Sequence, residues 1–324
     1  MEREAHAAGA STLQGGSPSG AVELVQVLWS SRREAAFNLA AEDWWLDHFA
    51  TAGRALLFYV NGPSIVVGKN QNPWREAATG WARREGIAVR RRVSGGGTVW
   101  HDEGNLNFCL VLPRTEYCRD RVLDQTLAAL ASLEVEAEVA HGNSLFVRGR
   151  KISGTAFCYR GNAVMHHGTL LVNADLERLR RALQPALPQV ETRAIASRPA
   201  PVANLSEYTA LHDLTDIARA LAIHLAGTET WRTFDPAELD GLCRMAEKHA
   251  EQEWIFGATP AFSWIPFVGG PQLHVEKGVV TRVDRADGGS IEPWFPTPFS
   301  PADLAAALAR HDPAWAASLA EFDW

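Results

Sequence analysis

Three consecutive glycines, Gly95 to Gly97, stand inside RRVSGGGTVWHDEGNLN, the stretch from Arg91 to Asn107, between β-type segments. Such a run is costly within a strand, because glycine loses more backbone freedom on ordering than any other residue. The chain is therefore expected to turn here, with backbone N–H groups open to an anionic or carbonyl-bearing ligand where no Cβ intervenes. Arg91 and Arg92 add guanidinium charge, and Ser94 adds a hydroxyl. No Lys-Ser/Thr pair follows the glycines and no G-x-G-x-x-G opens a helix, so neither a P-loop nor a dinucleotide fingerprint is present. The same residues also suit a plain glycine-rich hairpin beside a solvated basic strand.

Around this turn, helical and β-type segments are interspersed. Helical spacing is found over Ala35 to Phe49, Trp81 to Glu85, Asp120 to Leu133, Leu176 to Leu183, Thr215 to Leu225, Pro236 to Gln252 and Pro301 to Leu308. The β-type runs Ala55 to Val60 and Ser64 to Val67 read as a strand pair across Asn61, Gly62 and Pro63. Further runs are Ile87 to Val93, Phe108 to Leu112 and Leu145 to Val147, then Ala163 to His166 and Thr169 to Val172 with Gly168 between them. A hairpin is expected over Leu273 to Val283 with Gly278 in the turn. Strict βαβ alternation is missing, which predicts an α+β fold of mixed or antiparallel sheets with flanking helices. Met1 to Gly20 has one leucine and no aromatic residue and is expected to be a disordered tail. Pro185 to Leu205 reads as a loop.

Composition narrows the function classes. The 324 residues carry 31 Lys plus Arg against 38 Asp plus Glu, a net charge of -7, whereas nucleic-acid binding demands a strongly basic surface. Apolar runs fall short of the roughly 18–20 residues that cross a bilayer, and MEREAHAAGA lacks an apolar signal core. The four cysteines, Cys109, Cys118, Cys158 and Cys243, have neither metal-site spacing nor disulfide density. A cytoplasmic protein with reduced thiols is expected, bound neither to nucleic acid nor to a membrane.

A second cluster is GRKISGTAFCYRGNAVMHHGTLLVN, Gly149 to Asn173. Lys151, between Gly149 and Gly154, offers a compact ammonium to a phosphate or carboxylate, although most lysines are simply exposed. His166 and His167 point to opposite faces of a strand, which argues against one metal held by both. Val93, Val99, Trp100, Val164 and Leu170 suit either an acyl slot or a buried sheet face.

RRVSGGGTVWHDEGNLN, GRKISGTA and HHGTLLVNADL resemble signature blocks of lipoate-protein ligase A, in the wider biotin/lipoate ligase and acyltransferase family. FNLAAEDW, SIVVGKNQNPWRE, SRPAPVANL and EWIFGATPAFS extend the resemblance from about Glu34 to about Val283. It implies a catalytic domain, here residues 21–234, followed by a linker helix and a small α+β accessory domain over 235–324. It also implies a two-step reaction in which lipoate and ATP give lipoyl-AMP and pyrophosphate, and the acyl group then passes to a lysine. On the matching motifs, Lys151 would be catalytic. Arg92, Ser94, Gly95, Gly96, Gly97 and His167 would hold lipoate. Gly97, Thr98, Val99, His101, Asn143, Lys151 and Ser153 would hold ATP and the adenylate, with Pro185 to Leu205 as the adenylate-binding loop. ATP brings Mg2+, for which no ligand residue is assigned. The implied acceptors are apo lipoyl domains of 2-oxoacid dehydrogenase E2 subunits and the glycine cleavage H protein, served by a monomeric enzyme.

One departure stands in HGNSL, where Ser144 replaces an acidic residue common in the family; a hydroxyl binds magnesium more weakly than a carboxylate. Three other readings remain: a lipoyl or octanoyl transferase with Cys158 as nucleophile or with pre-formed lipoyl-AMP, a non-catalytic lipoyl binder, and biotin ligation. Arg83, Arg84, Arg90 and Arg91 could steer an acidic acceptor.

Overall fold

A computed structural model describes residues 25–324 apart from 188, 211, 292, 293, 320, 321 and 323, so the tail expected at Met1 to Gly20 lies outside the described residues. The chain begins with β1 (Gln26–Ser30), α1 (Ala35–Asp47), α2 (Phe49–Ala52), β2 (Ala55–Tyr59), β3 (Ser64–Val67), α3 (Pro73–Glu76) and α4 (Thr79–Arg84). Then come β4 (Ala88–Arg91), β5 (Val99–His101), β6 (Asn105–Pro113), α5 (Arg119–Ala131), β7 (Glu138–Ala140), β8 (Ser144–Val147), β9 (Arg150–Arg160) and β10 (Ala163–Leu171). They are followed by α6 (Leu176–Ala182), β11 (Glu191–Thr192), α7 (Leu214–Ala226), β12 (Arg232–Phe234) and α8 (Leu242–Ala250). Last are β13 (Phe262–Trp264), β14 (Gln272–Glu276), β15 (Val279–Asp284), β16 (Thr297–Pro298), α9 (Pro301–Leu308) and α10 (Pro313–Leu319).

An eight-stranded sheet in the order β12-β1-β2-β6-β10-β9-β8-β7 dominates, beside sheets ordered β4-β3-β5 and β11-β13-β14-β15-β16. Parallel pairs, β1 with β2 and β3 with β4, mix with antiparallel ones, as the expected α+β class requires. All five residues of β2 are buried, because helices cover both faces of the large sheet. Leu56 and Phe58 meet α5 and α7 in a core with Leu110, Leu130 and Leu221. Leu57 turns the other way, toward α1 and α8, among Cys109, Met165 and Trp45. Among the described residues no helix is long and apolar enough to cross a membrane.

The structure corrects three expectations. Ala55 to Val60 does not pair with Ser64 to Val67, because both edges of β2 are taken by β1 and β6; β3 lies instead between β4 and β5. Gly168 does not interrupt β10. A Cβ there would lie 2.7 Å from the Phe108 ring, so the glycine admits an aromatic side chain across the strand pair. The helix expected over Pro236 to Gln252 is split by Gly241, whose φ of 73° is left-handed and cannot continue a helix. The β14–β15 hairpin does form, with Lys277 and Gly278 both at positive φ, as a two-residue turn of this hand requires.

Arg91 does not belong to the expected steering patch, of which Arg83 and Arg84 are exposed. It is fully buried, and its N–H groups point at oxygens from two distant segments, all backbone carbonyls except the Thr259 hydroxyl. One set is Gly68, Lys69 and Gln71 at 2.9–3.0 Å from Nη1; the other includes Ile255 at 2.9 Å from Nε and Thr259 Oγ1 at 2.9 Å from Nη2. In return, the Arg91 carbonyl accepts from Trp254 Nε1 at 2.8 Å. Burial lowers the guanidinium to about 10. Arg91 therefore fastens residues 254–259 to the turn after β3 and has no side chain to offer a partner. Arg83 donates to the Trp324 carbonyl at 3.0 Å.

Candidate active site

The glycine turn wraps around a buried guanidinium. Arg92 Nη2 donates to Gly95 O at 2.6 Å and Gly97 O at 2.7 Å, Nε to Ser94 Oγ at 3.1 Å, and Nη1 to Val66 O at 3.2 Å. Two of the turn's carbonyls are thus drawn onto Arg92. Gly96 has φ 89°, and a Cβ there would meet Arg92 Nη2 at 2.9 Å; a Cβ on Gly68 would meet Gly96 O at 2.2 Å. Gly95 has nothing within 4 Å of its position for a side chain, so that glycine is not sterically required.

Behind the turn lies a cavity of about 440 Å³ between α1, β9, β10 and the strap described below. His167 Nδ1 donates to Glu42 Oε2 at 2.7 Å, and Ser94 Oγ lies 2.7 Å from Nε2. Tyr59 Oη donates to the other Glu42 oxygen at 2.9 Å. Glu42 comes from the buried side of α1, and Arg92 is the cation that faces it. His101 also lines this cavity; burial, with Arg92 and His167 nearby, holds it down to about 3.

The segment 194–203 straps across the mouth. Ser197 N–H donates to Glu76 Oε2 at 2.9 Å, while Ser197 Oγ accepts from Thr98 N–H and Gln71 Nε2, both at 3.0 Å. At the other end, Lys151 N–H donates to Pro201 O at 2.7 Å, and Ala203 N–H to Lys151 O at 3.0 Å. Beyond the strap a second cavity of about 830 Å³ has an apolar wall from Val99, Trp100, Leu171, Leu179 and Leu183, with Arg180 and Arg198 also in its lining. Lys151 lines both cavities. Its Nζ lies over Gly154, where a Cβ would sit 3.3 Å away, and among the described residues it has no hydrogen-bond or ion-pair partner. Burial, then the charge of Arg92, lowers its pKa. An unpaired cation between two cavities is suited to hold two anions together.

Most residues expected at the site come together. Arg92, Gly96, Gly97, His167 and His101 line the first cavity, as do Asn143 and Ser144. Thr98, Val99 and Lys151 line both, and Ser153 lines the second, where its Oγ is buried without a partner. Ser94 sits beneath the turn, and neither it nor Gly95 is in the lining. Of the apolar candidates, Val99 and Trp100 line a cavity, while Val93 and Leu170 belong to the cores and Val164 is buried. Cys158 lines neither cavity, and burial raises its thiol pKa. Sequence reasoning missed Glu42, Tyr59, Gln71 and Glu76. One signal was available: Asn38 and Glu42 are four apart, which puts two polar side chains on the apolar stripe of α1.

His166 points away from the cavity, as expected, toward Tyr117 Oη at 3.0 Å, and burial holds it too down to about 3. His101 and His166 thus refuse in the folded state a proton that the unfolded chain accepts near 6.5. Stability is full above that value and is lost as pH falls, by about 2 kcal/mol per histidine between pH 6.5 and 5. Urea midpoints should follow this slope, and His166→Phe should remove about half of it; a midpoint independent of pH in that window contradicts the assignment.

For a divalent metal, no group of three or more His, Cys, Asp or Glu gathers among the described residues. Glu76, in the lining of the second cavity, is already bound to Ser197 N–H and Arg75. The neutral oxygens of Asn143 and Ser144 fit a magnesium ion that takes most of its ligands from phosphates and water.

Comparison with known proteins places the fold and the family. Solved structures share the fold at low identity. P. falciparum LipL1 in complex with lipoate is 19% identical with a TM-score of 0.63, covering 91% of this chain and 99% of that one. A lipoate-protein ligase A bound with ATP is 21% identical with a TM-score of 0.61, over 72% and 99%. A bipartite lipoate protein ligase from Thermoplasma acidophilum, described with its E2 lipoyl domain, is 21% identical with a TM-score of 0.60, over 72% and 97%. The family model for the lipoyl protein ligase A/B catalytic domain matches residues 34–226, more than half of the sequence and the part that builds both cavities, and the chain belongs to that family.

Proposed function

We propose that this protein is a lipoate-protein ligase that activates lipoate with ATP and passes the lipoyl group to a lysine of an acceptor domain. The observation that carries the reading is Lys151, a half-buried cation without a partner among the described residues and shared by two adjoining cavities. The first cavity receives the acyl chain, with its carboxylate toward Lys151. The second receives the nucleotide, its base against Val99, Leu171 and Leu179, and its phosphates toward Lys151, Arg180 and Arg198. In the first step a carboxylate oxygen bonds to the α-phosphorus and pyrophosphate leaves. In the second the acceptor amine attacks the acyl carbon, the C–O bond to phosphate breaks, and AMP leaves. Lys151 offsets the repulsion of the two anions in the first step and the charge on the carbonyl oxygen and departing phosphate in the second. Asn143 and Ser144 would stand beside a magnesium ion brought in with the nucleotide, which would supply further charge neutralisation.

Acceptors of this reaction are the lipoyl domains of 2-oxoacid dehydrogenase E2 subunits or the glycine cleavage H protein, met as a monomer in the cytoplasm. The solved relative described with its E2 lipoyl domain supports the E2 subunits among these acceptors. Pyrophosphate exchange into ATP tests the activation step despite Ser144. Exchange that requires lipoate is expected; none at any lipoate concentration removes activation from the account and leaves transfer from pre-formed lipoyl-AMP.

A further inference from the structure

Asn38 and Asn61 are fully buried and lie outside the cavity lining, yet their hydrogen bonds fix the chemistry of a residue within it. Asn38 Nδ2 is 2.9 Å from Arg32 O and 2.7 Å from Asn61 Oδ1. A backbone carbonyl only accepts, so this end of Asn38 is its NH2 group, and both protons are committed. Asn61 therefore presents its oxygen to Asn38 and its own NH2 to His101 Nδ1, 2.9 Å away. Nδ1 is then the acceptor, and the proton of the neutral ring resides on Nε2. That nitrogen is buried and has no partner, and His101 itself is 3% exposed in the wall of the first cavity. Buried donors are nearly always paired, so an orphan in a cavity wall points to a ligand atom.

Building on the ligase reading above, we propose that His101 Nε2–H donates to an oxygen of the bound acyl group, carboxylate before activation and carbonyl after it. Asn61 is the positioning residue that sets the tautomer. Oxygen is the acceptor because sulfur accepts only weakly, so an acyl chain without a dithiolane is held equally well.

Asn61→Asp keeps the side-chain shape and still accepts from Asn38, but it faces Nδ1 with an acceptor. The proton then moves to Nδ1, and Nε2 becomes an acceptor. Nitrogen-15 spectra of histidine-labelled wild-type protein should show a neutral ring protonated at Nε2, whose signal shifts when either lipoate or octanoate is added. In Asn61→Asp the tautomer should reverse and KM for both acids should rise roughly tenfold, about one buried hydrogen bond, with KM for ATP unchanged. His101→Gln, whose amide can stand where Nε2–H stood, should restore most acid binding. A wild-type ring protonated at Nδ1, no shift at saturating acid, or an unchanged KM in Asn61→Asp would overturn the proposal, and an effect confined to lipoate would replace oxygen by sulfur. The wild-type spectra decide even if Asn61→Asp fails to fold. A wild type that binds neither acid and shows no acid-dependent exchange sinks the ligase reading, and the acyl contact with it, while the free-protein spectrum still reports the Asn61 relay separately.

Discussion

Lys151→Met is expected to lower acceptor lipoylation by about 10²–10³-fold, the usual cost of removing one preorganised charge from a transition state. Methionine keeps the length and apolar stem of the side chain, so the loss isolates the ammonium. Because Nζ belongs to both cavities, both half-reactions should suffer: pyrophosphate exchange into ATP, and transfer from supplied lipoyl-AMP. Stability should change little or improve, since the half-buried ammonium has no partner among the described residues and desolvation disfavours its charged form. Arginine is a poor substitute, because a planar fork over Gly154 cannot replace a compact charge that meets that glycine closely. If Lys151→Met keeps exchange and transfer within a few-fold of wild type, the lysine is a structural strand residue, and the mechanism loses its electrostatic centre.

Arg91→Met should be the most destabilising single substitution outside the hydrophobic cores. It would strand the carbonyls of Gly68, Lys69, Gln71 and Ile255 in a dry interior, partly offset by no longer burying a charge. A net loss of about 3 kcal/mol is expected, a fall in Tm of roughly 6–12 °C. Activity should fall as well, because the turn that Arg91 fastens contains Gly68, whose backbone meets Gly96 of the glycine turn, and Gln71, which holds the strap. Arg91→Lys should recover only part of the loss, having three donors where five are used. Calorimetry on the two variants checks the ranking. Wild-type Tm in Arg91→Met would mean that water replaces the guanidinium and the clamp carries no energy.

The glycine turn was legible because its signal is local, three glycines marking a turn, whereas Lys151 stood out only through the resemblance carried by GRKISGTA, since a strand lysine taken alone reads as exposed. The α+β class followed from the irregular alternation of segments. Strand partnership did not, since β2 and β3 are separated by good turn residues, yet β2 already has both neighbours from elsewhere in the chain. Gly168 and Gly241 show why glycine alone is ambiguous. One makes room for Phe108 within a strand, and the other breaks a helix through left-handed backbone. Arg91 read as surface charge because its acceptors Ile255 and Thr259 stand more than 160 positions away. Glu42 and Asn61 were missed for a related reason: each acts on a histidine brought to it by the sheet.

The most direct measurement is the intact mass of an apo lipoyl domain after incubation with wild-type protein, lipoate, ATP and magnesium, run in parallel with Lys151→Met. One lipoyl group on one acceptor lysine with wild-type protein, and almost none with the variant, is the predicted result. Equal gain from both proteins, or gain with wild-type protein only when lipoyl-AMP is supplied ready-made, would contradict it.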